Sequence, residues 1–228
     1  MTIIETLRRF NKNLRIHTTE DTAFSAYGRK LENHPMRSRI EQAKFLIPSG
    51  LTENNYVASV PELEALPGRD LYDRVFGEID LQVGYVAGPN TSLNGLEYHK
   101  SPEVMVALTE QILLLGRWED IDADWHYEAN RVEAVYLEPG DCIELYPRTL
   151  HLSPCRLSDE GFKSLIILPR GTNTPLSEAV WARRTIGTED QCLFMKNKWL
   201  LAHPERTGLI QKGAYPGILG PNISVNYK

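Results

Sequence analysis

Carboxylate and imidazole side chains stand at alternate positions near the middle of the chain. Every second residue there is polar, and the set consists of Glu97, His99, Ser101 and Glu103. Because successive side chains of a strand point to opposite faces, this spacing predicts that the four share one face. Carboxylate oxygen and imidazole nitrogen are ordinary ligands of divalent metals, so the face could form a metal site.

A second segment, residues 132–157, contains two predicted turns close together. Pro139, Gly140 and Asp141 form the first, and Pro147, Arg148 and Thr149 form the second, directly before His151. Turns at this distance predict a tight meander, with His151 on a strand next to a polar-faced one. The residues predicted to share that polar face are Cys142, Glu144 and Tyr146.

The two segments resemble the two motifs of the cupin superfamily. The first cupin motif is His-x-His, three or four residues and then Glu, and the second has a Gly, a Pro and then a His. Here the matching residues are Glu97, His99, Glu103, Gly140, Pro147 and His151, so a glutamate replaces the first cupin histidine. The resemblance covers residues 81–170. Residues 97–108 are also similar to a strand of ureidoglycolate lyase, a cupin-like enzyme, and the length and ending resemble an uncharacterised bacterial cupin-like family assumed to act on carbohydrates.

The resemblance implies an all-β fold, a cupin-like antiparallel β-barrel (double-stranded β-helix) with a few short peripheral helices. It also implies a divalent metal, Mn, Fe or Zn, with Glu97, His99, Glu103 and His151 as ligands. Two carboxylates make this set harder than three histidines and one glutamate, which favours Mn²⁺ or Fe²⁺ over a closed structural zinc site.

Simpler roles remain open for each of these residues. Glu97 and Glu103 could be solvated on the outer face of an edge strand, and His151 could be a hydrogen-bonded core histidine. Glu97 could also be a catalytic base rather than a ligand.

The predicted chemistry is proton transfer at a carbon next to a metal-bound oxygen, as in isomerisation or epimerisation. Glu144 is the predicted base and Tyr146 a predicted proton donor, although a strand Glu and Tyr can also be a solvated pair. Glu97 is the competing base.

Predicted substrate contacts are Gln111, Lys163 and Lys198. Lys198 lies in a C-terminal segment, residues 190–228, whose glycines predict a wrapped, non-helical course. There Lys198 could bind a phosphate or carboxylate. Alternatively, Trp199 and Leu200 fill the barrel base or a dimer seam while the lysines stay in water.

The elements that must position these residues are mainly strands. Short apolar segments, including QAKFLIPSG, are interrupted by Gly, Pro and Asn at the spacing typical of an antiparallel sandwich or barrel. A helix is predicted within residues 1–20, and PELEAL and PLSEAVWARR also look helical. No linker or repeat divides the chain, so residues 1–228 are predicted to form a single domain, with residues 81–170 as the motif-bearing core.

The amino-acid composition limits which classes of molecule the protein is expected to bind. The 228 residues carry a net charge of −5, which argues against a nucleic-acid surface and favours a small-molecule partner such as a carbohydrate. We find no signal peptide and no run of about 18 apolar residues, so a cytoplasmic protein without a membrane span is expected. Three cysteines fit reduced thiols. A homodimer is possible.

Three functions of different class follow. The favoured one is a metal-dependent isomerase or epimerase of a sugar or sugar derivative. The alternatives are a metal-assisted lyase resembling ureidoglycolate lyase and a non-catalytic carbohydrate-binding cupin. The lyase would use several arginines, and the motifs have only Arg148 and Arg156 near them.

Overall fold

Strands make up most of the regular structure in the computed structural model, which describes residues 2–32, 34–66 and 68–228. The strands are β1 (Arg15–Thr18), β2 (Gly28–Lys30), β3 (Asn55–Val57), β4 (Leu81–Gly88), β5 (Gly95–Tyr98), β6 (Glu103–Ala107), β7 (Gln111–Arg117), β8 (Tyr127–Glu128), β9 (Glu133–Leu137), β10 (Cys142–Leu145), β11 (Thr149–Leu150), β12 (Cys155–Arg156), β13 (Phe162–Pro169), β14 (Leu193–Met195), β15 (Lys198–Ala202) and β16 (Ile218–Leu219). The prediction of a mostly β fold is confirmed.

The helices are short. They are α1 (Ile3–Phe10), α2 (Ile40–Leu46), α3 (Pro61–Glu64), α4 (Arg69–Phe76), α5 (Glu178–Ala182) and α6 (Thr207–Gln211). The helices predicted in PELEAL and PLSEAVWARR are confirmed as α3 and α5. None of the helices among the described residues is long and apolar enough to cross a membrane.

Three helical predictions need correction. The N-terminal helix ends at Phe10, because the Asn11 side chain donates to the Leu7 carbonyl at 2.8 Å and caps it, and β1 follows. QAKFLIPSG, predicted as a strand, begins instead with residues 42–46 of α2, since a short apolar run has no periodicity that separates the two structures. The C-terminal segment was predicted to be non-helical but contains α6, as well as strands β14 and β15.

The strands form three main sheets. Sheet I has the order β1-β9-β7-β11, with β12 also paired to β7. Sheet II has the order β2-β10-β6-β13-β4-β3, and sheet III has the order β14-β15-β5. Most pairs are antiparallel, but β1 pairs with β9 in parallel and β16 pairs with β8 in parallel.

Sheets I and II face each other across one apolar layer. Leu113 and Val135 enter it from sheet I, and Met105, Ile143 and Ile166 enter it from sheet II. The predicted closed barrel is not found, because the described strands form separate sheets whose hydrogen bonding does not run around the layer.

The outer faces of these two sheets are also covered. Leu7 of α1 belongs to the apolar cluster outside sheet I, together with residues of the C-terminal segment such as Val225. Ala43 of α2 and Leu63 of α3 belong to the cluster outside sheet II. Burial on both faces explains why few strands show a clean polar and apolar alternation.

The first predicted turn is present but does not make a meander. Gly140 has a φ of 98°, and Asp141 donates its backbone N–H to the Glu138 carbonyl at 2.9 Å. However, β9 before the turn lies in sheet I and β10 after it lies in sheet II. The turn therefore carries the chain between sheets, and β10 does not lie beside His151.

The close approach of β3 and β4 provides a test of the fold. A Cβ added at Gly84 would lie 1.8 Å from the Val57 carbonyl oxygen. We expect Gly84→Ala to lower the free energy of unfolding by about 1 to 3 kcal/mol, the usual cost of overpacking, as measured by urea denaturation.

Gly208→Ala is the matched control, because no atom lies within 4 Å of the added Cβ and the position is in α6. Its stability should be unchanged or higher by up to about 1 kcal/mol. Equal stabilities of the Gly84→Ala and wild-type proteins would contradict the packing of β3 on β4.

Candidate metal centre

Two glutamates and two histidines meet in a buried cluster. Glu103 Oε2 lies 3.3 Å from His99 Nε2 and 3.3 Å from His151 Nε2, and Glu97 Oε1 lies 3.7 Å from His99 Nε2. Ligand atoms of Glu97, His99 and His151 all lie within 4.8 Å of one another. All four side chains are buried, so they are not solvated on an outer face.

Three separate pieces of backbone bring the four residues together. Glu97 and His151 form an antiparallel bridge, with the Glu97 N–H donating to the His151 carbonyl at 2.6 Å and the His151 N–H donating back at 2.8 Å. After β5 the chain leaves sheet III and begins β6 of sheet II at Glu103. The prediction of one continuous strand is therefore wrong, and Ser101 lies outside the cluster, accepting a hydrogen bond from the Asn197 amide at 2.9 Å.

Both imidazole rings are fixed with Nε2 toward the cluster. His99 Nδ1 lies 2.5 Å from the Asn197 carbonyl oxygen, and His151 Nδ1 lies 2.9 Å from the Thr149 carbonyl oxygen. A carbonyl only accepts hydrogen bonds, so each Nδ1 must carry a proton. His99 Nε2 is buried without a hydrogen-bond partner. These features fit a metal ion, whose histidine ligands commonly donate their other ring N–H to a carbonyl.

The electrostatics of the cluster favour a positive charge at its centre. Burial alone would raise the pKa of Glu103, but the nearby His151 and His99 hold that pKa well below its usual range. Burial would lower the pKa of His151, but the Glu103 carboxylate raises it above its ordinary value. Each partner thus stabilises the charge of the other, and a divalent cation would supply the same attraction to the carboxylate.

Lys198 of β15 also reaches the cluster. Its ammonium group forms an ion pair with Glu97. Leu200 is the register partner of Glu97, and Lys198, two residues earlier, points to the same face. The neighbouring Trp199 points to the other face and stacks on Tyr98 at 5.6 Å between ring centroids.

A cavity of about 70 Å³ opens beside the cluster. Its lining residues are Tyr56, Val86, Glu97, Glu103, Met105, His151, Leu152, Ser153, Ile166, Asn173 and Lys198. One water occupies roughly 30 Å³ of liquid, so the space suits the reacting end of a small molecule.

Sequence reasoning missed Tyr56 and Asn173 as lining residues. Burial, reinforced by the Glu103 and Glu97 carboxylates, raises the pKa of the Tyr56 phenol above its usual range, although 36% of the residue is exposed. Asn173 Oδ1 is buried without a hydrogen-bond partner. Neither residue lies within a recognisable motif, and only the pairing of β3 and β4 carries Tyr56 to the cavity.

The structure does not bring Glu144 and Tyr146 into the cavity. Glu144 pairs across the sheet with Val104, whose side chain belongs to the cluster outside sheet II, and it forms an ion pair with Arg29 at 2.7 Å. Glu103 pairs instead with Leu145, on the inner face. Tyr146 follows β10 and is half-buried.

Two predicted substrate contacts lie elsewhere. Gln111 is fully buried in the inner layer, where its amide exchanges hydrogen bonds with the Ser164 hydroxyl at 2.7 and 3.0 Å. Lys163 points out of sheet II, and its ammonium group donates to the carbonyls of Lys44 and Ile47 at the end of α2 and to the Ser49 hydroxyl. Among the three predicted contacts, Lys198 alone lines the cavity.

The placement of Lys163 predicts a structural role. Lys163→Met should lower the free energy of unfolding by about 1 kcal/mol, because it removes a cation from the C-terminal end of α2. Metal binding should be unchanged. Chemical denaturation and metal analysis test both, with Lys12→Met as an exposed control expected within about 0.5 kcal/mol of wild type. Loss of ligand binding with unchanged stability would instead support the predicted substrate contact.

Comparison with known proteins gives a family and weak structural likenesses. Oxalate decarboxylase of Bacillus subtilis, a protein with Mn(II) centres, aligns with 13% identity and a TM-score of 0.33 over 46% of this chain and 26% of that one. CapF aligns with 10% identity and a TM-score of 0.33 over 42% of this chain and 26% of that one. The chain thus spans about a quarter of either protein.

No curated protein matches the chain. The sequence profile of the domain of unknown function DUF4867 matches residues 16–223, which include the whole cluster and every residue that lines the cavity. By this match over nearly its full length, the chain belongs to the DUF4867 family.

Proposed function

We propose that the chain is a cupin-like metalloprotein that binds one divalent cation through Glu97, His99, Glu103 and His151. The observation that carries the proposal is the orientation of the two imidazoles, each with Nδ1 on a backbone carbonyl and Nε2 toward a buried carboxylate. In addition, His99 Nε2 has no hydrogen-bond partner despite its burial, which is costly unless a ligand completes it.

The donor set favours Mn²⁺ or Fe²⁺, with Zn²⁺ as a further candidate. Two carboxylates and two imidazoles form a mixed oxygen and nitrogen set without thiolate, which suits these metals. The cysteines Cys142, Cys155 and Cys192 are buried, and none of them lines the cavity.

The favoured activity is that of an isomerase or epimerase acting on a sugar or sugar derivative. A bound divalent cation would polarise a carbonyl or hydroxyl oxygen of the substrate. The Glu97 carboxylate lines the cavity with two oxygens in different surroundings, Oε1 toward His99 and Oε2 toward Lys198. Oε1 would serve as the ligand atom, and Oε2 would remove the proton from the adjacent carbon. The Tyr56 phenol stays protonated because its pKa is raised, so it would donate a hydrogen bond to a substrate oxygen.

The base in this proposal is Glu97 rather than Glu144. The ion pair with Arg29 and the outward face keep Glu144 away from the reacting carbon. The lyase alternative expects arginines near the substrate, but Arg148 lies over the Trp118 ring at 4.2 Å and Arg156 over the Tyr227 ring at 5.9 Å.

Metal analysis tests the proposed centre. Protein reconstituted with Mn²⁺, Fe²⁺ or Zn²⁺ should contain about one ion per chain by mass spectrometry after gel filtration. His99→Ala and His151→Ala should lose the ion. Removing a group that only hydrogen-bonds to a ligand typically lowers metal affinity about 10- to 100-fold, and removing the ligand itself should lower it more.

His126→Ala is the control, since His126 contacts Tyr215 and lies outside the cluster. It should keep the full metal content. Metal content near zero in the reconstituted wild type, or equal content in all three variants, would overturn the proposed centre.

Deuterium incorporation tests the proposed proton transfer. A substrate found by thermal-shift screening of sugars, sugar phosphates and ureido acids should gain deuterium from solvent at the carbon next to the product carbonyl. Glu97→Gln should lower kcat by roughly 10² to 10⁴, the usual effect of removing a general base.

Glu144→Gln is the matched carboxylate control and should keep kcat within a few-fold of wild type. Metal content must be measured in the same samples, so that loss of the base is separated from loss of the ion. Normal turnover in Glu97→Gln together with an inactive, metal-loaded Glu144→Gln would return the base role to Glu144.

A further inference from the structure

Lys198 is the only lysine or arginine among the described residues that line the cavity. Its side chain is 14% exposed, and its ammonium group pairs with Glu97. Glu97 is also a proposed metal ligand, so a bound cation and Lys198 would both lie close to the same carboxylate. The net charge of the cavity with a metal bound therefore depends on how many carboxylates balance the metal ion and the Lys198 ammonium group.

The lining residues leave one positive charge unbalanced when a divalent cation is bound. Glu97 and Glu103 together cancel the cation, and histidine ligands are neutral when they bind a metal. The charge of Lys198 then has no counter-charge in the cavity, whichever partner its ammonium group contacts. An unbalanced charge in a partly buried site is unfavourable, and an anion that enters the site relieves it.

Asn173 supplies a second polar contact in the same cavity. Its Oδ1 is buried without a partner and can only accept a hydrogen bond, so a hydroxyl group of a ligand would satisfy it. The backbone N–H of Asn173 donates to the Lys196 carbonyl at 3.0 Å, and the Lys196 N–H donates to Thr174 at 3.0 Å. These bonds fix Asn173 against the β14–β15 hairpin, which also carries Lys198.

We propose that the substrate is a small hydroxy acid that enters as a monoanion, with its carboxylate on Lys198 and a hydroxyl on Asn173. The inference rests on the proposed metal centre, because without the cation Glu97 neutralises Lys198. It narrows the sugar derivatives of the proposed function to acidic ones. A neutral sugar would leave the charge of Lys198 unbalanced.

Calorimetric titration with a minimal probe tests the inference. Mn²⁺-loaded protein is titrated with glycolate, a hydroxy acid monoanion, and with glycolamide, its neutral analogue. The metal itself prefers a carboxylate, so the decisive comparison is Lys198→Met. This variant should bind glycolate roughly 10- to 100-fold more weakly, the value of one hydrogen bond to a charged group, and should bind glycolamide as wild type does.

Two further variants separate charge from structure. Lys198→Arg keeps the positive charge and should retain most of the glycolate affinity. Lys196→Met removes an exposed lysine from the same hairpin and should match wild type. Metal content is measured for each, so that a change in glycolate binding is not confused with loss of the ion.

The outcomes distinguish the two proposals. Wild-type glycolate affinity in metal-loaded Lys198→Met, or equal binding of glycolate and glycolamide by the wild type, overturns the inference and leaves the metal centre standing. Failure of the wild type to take up metal overturns both. If Lys198→Met does not fold, Lys198→Gln replaces it in the same comparison, and equal binding of glycolate and glycolamide by the wild type still overturns the inference.

Discussion

The backbone pairing of Glu97 with His151 is the interaction on which the site depends. Two reciprocal hydrogen bonds of 2.6 and 2.8 Å join β5 of sheet III to the chain that leaves β11 of sheet I. Directly opposed residues in an antiparallel pair have side chains on the same face, so this bridge places a carboxylate and an imidazole together. Without it, Glu97 and His151 would belong to two unconnected sheets.

The connection from β5 to β6 adds the remaining two residues. His99 lies just after β5, and its ring is held by the Asn197 carbonyl, while Glu103 begins β6 in sheet II. Asn197 has a φ of 53°, a conformation that asparagine tolerates better than most residues, and its side chain accepts the Lys100 N–H at 3.0 Å. One residue of the β14–β15 hairpin thus orients a proposed ligand and holds the connection beside it.

Burial of several charged groups gives the site its chemical character. Unpaired carboxylates in an apolar layer would be strongly destabilising, and here each one has a cationic or imidazole partner. Glu103 is paired with the histidines and Glu97 with Lys198. A bound divalent cation would balance the charges of Glu97 and Glu103. The charge of Lys198 would then be available to an anionic ligand, which connects the proposed metal centre with the proposed substrate class.

Glu97 and Glu144 show that the position of a side chain depends on which sheet its strand joins, which local sequence does not predict. Both are buried glutamates on strands, and local sequence does not separate them. Glu144 follows a turn that crosses from sheet I to sheet II, so its side chain points to the outer face beside Arg29. Lys163 on β13 also points to the outer face of sheet II. Its ammonium group donates to a carbonyl at the end of α2 and does not line the cavity.

The sequence alone determined the mostly β class, because short apolar segments broken by turn residues are a local property. The resemblance to the two cupin motifs, rather than strand alternation, singled out the four residues of the cluster. Only the tertiary structure decided that the sheets do not close into a barrel and that Tyr56 and Asn173 line the cavity. It also decided that Glu144, Gln111 and Lys163 lie elsewhere. Those outcomes depend on which strands pair across long stretches of chain and which face each then presents, and no local spacing encodes that choice.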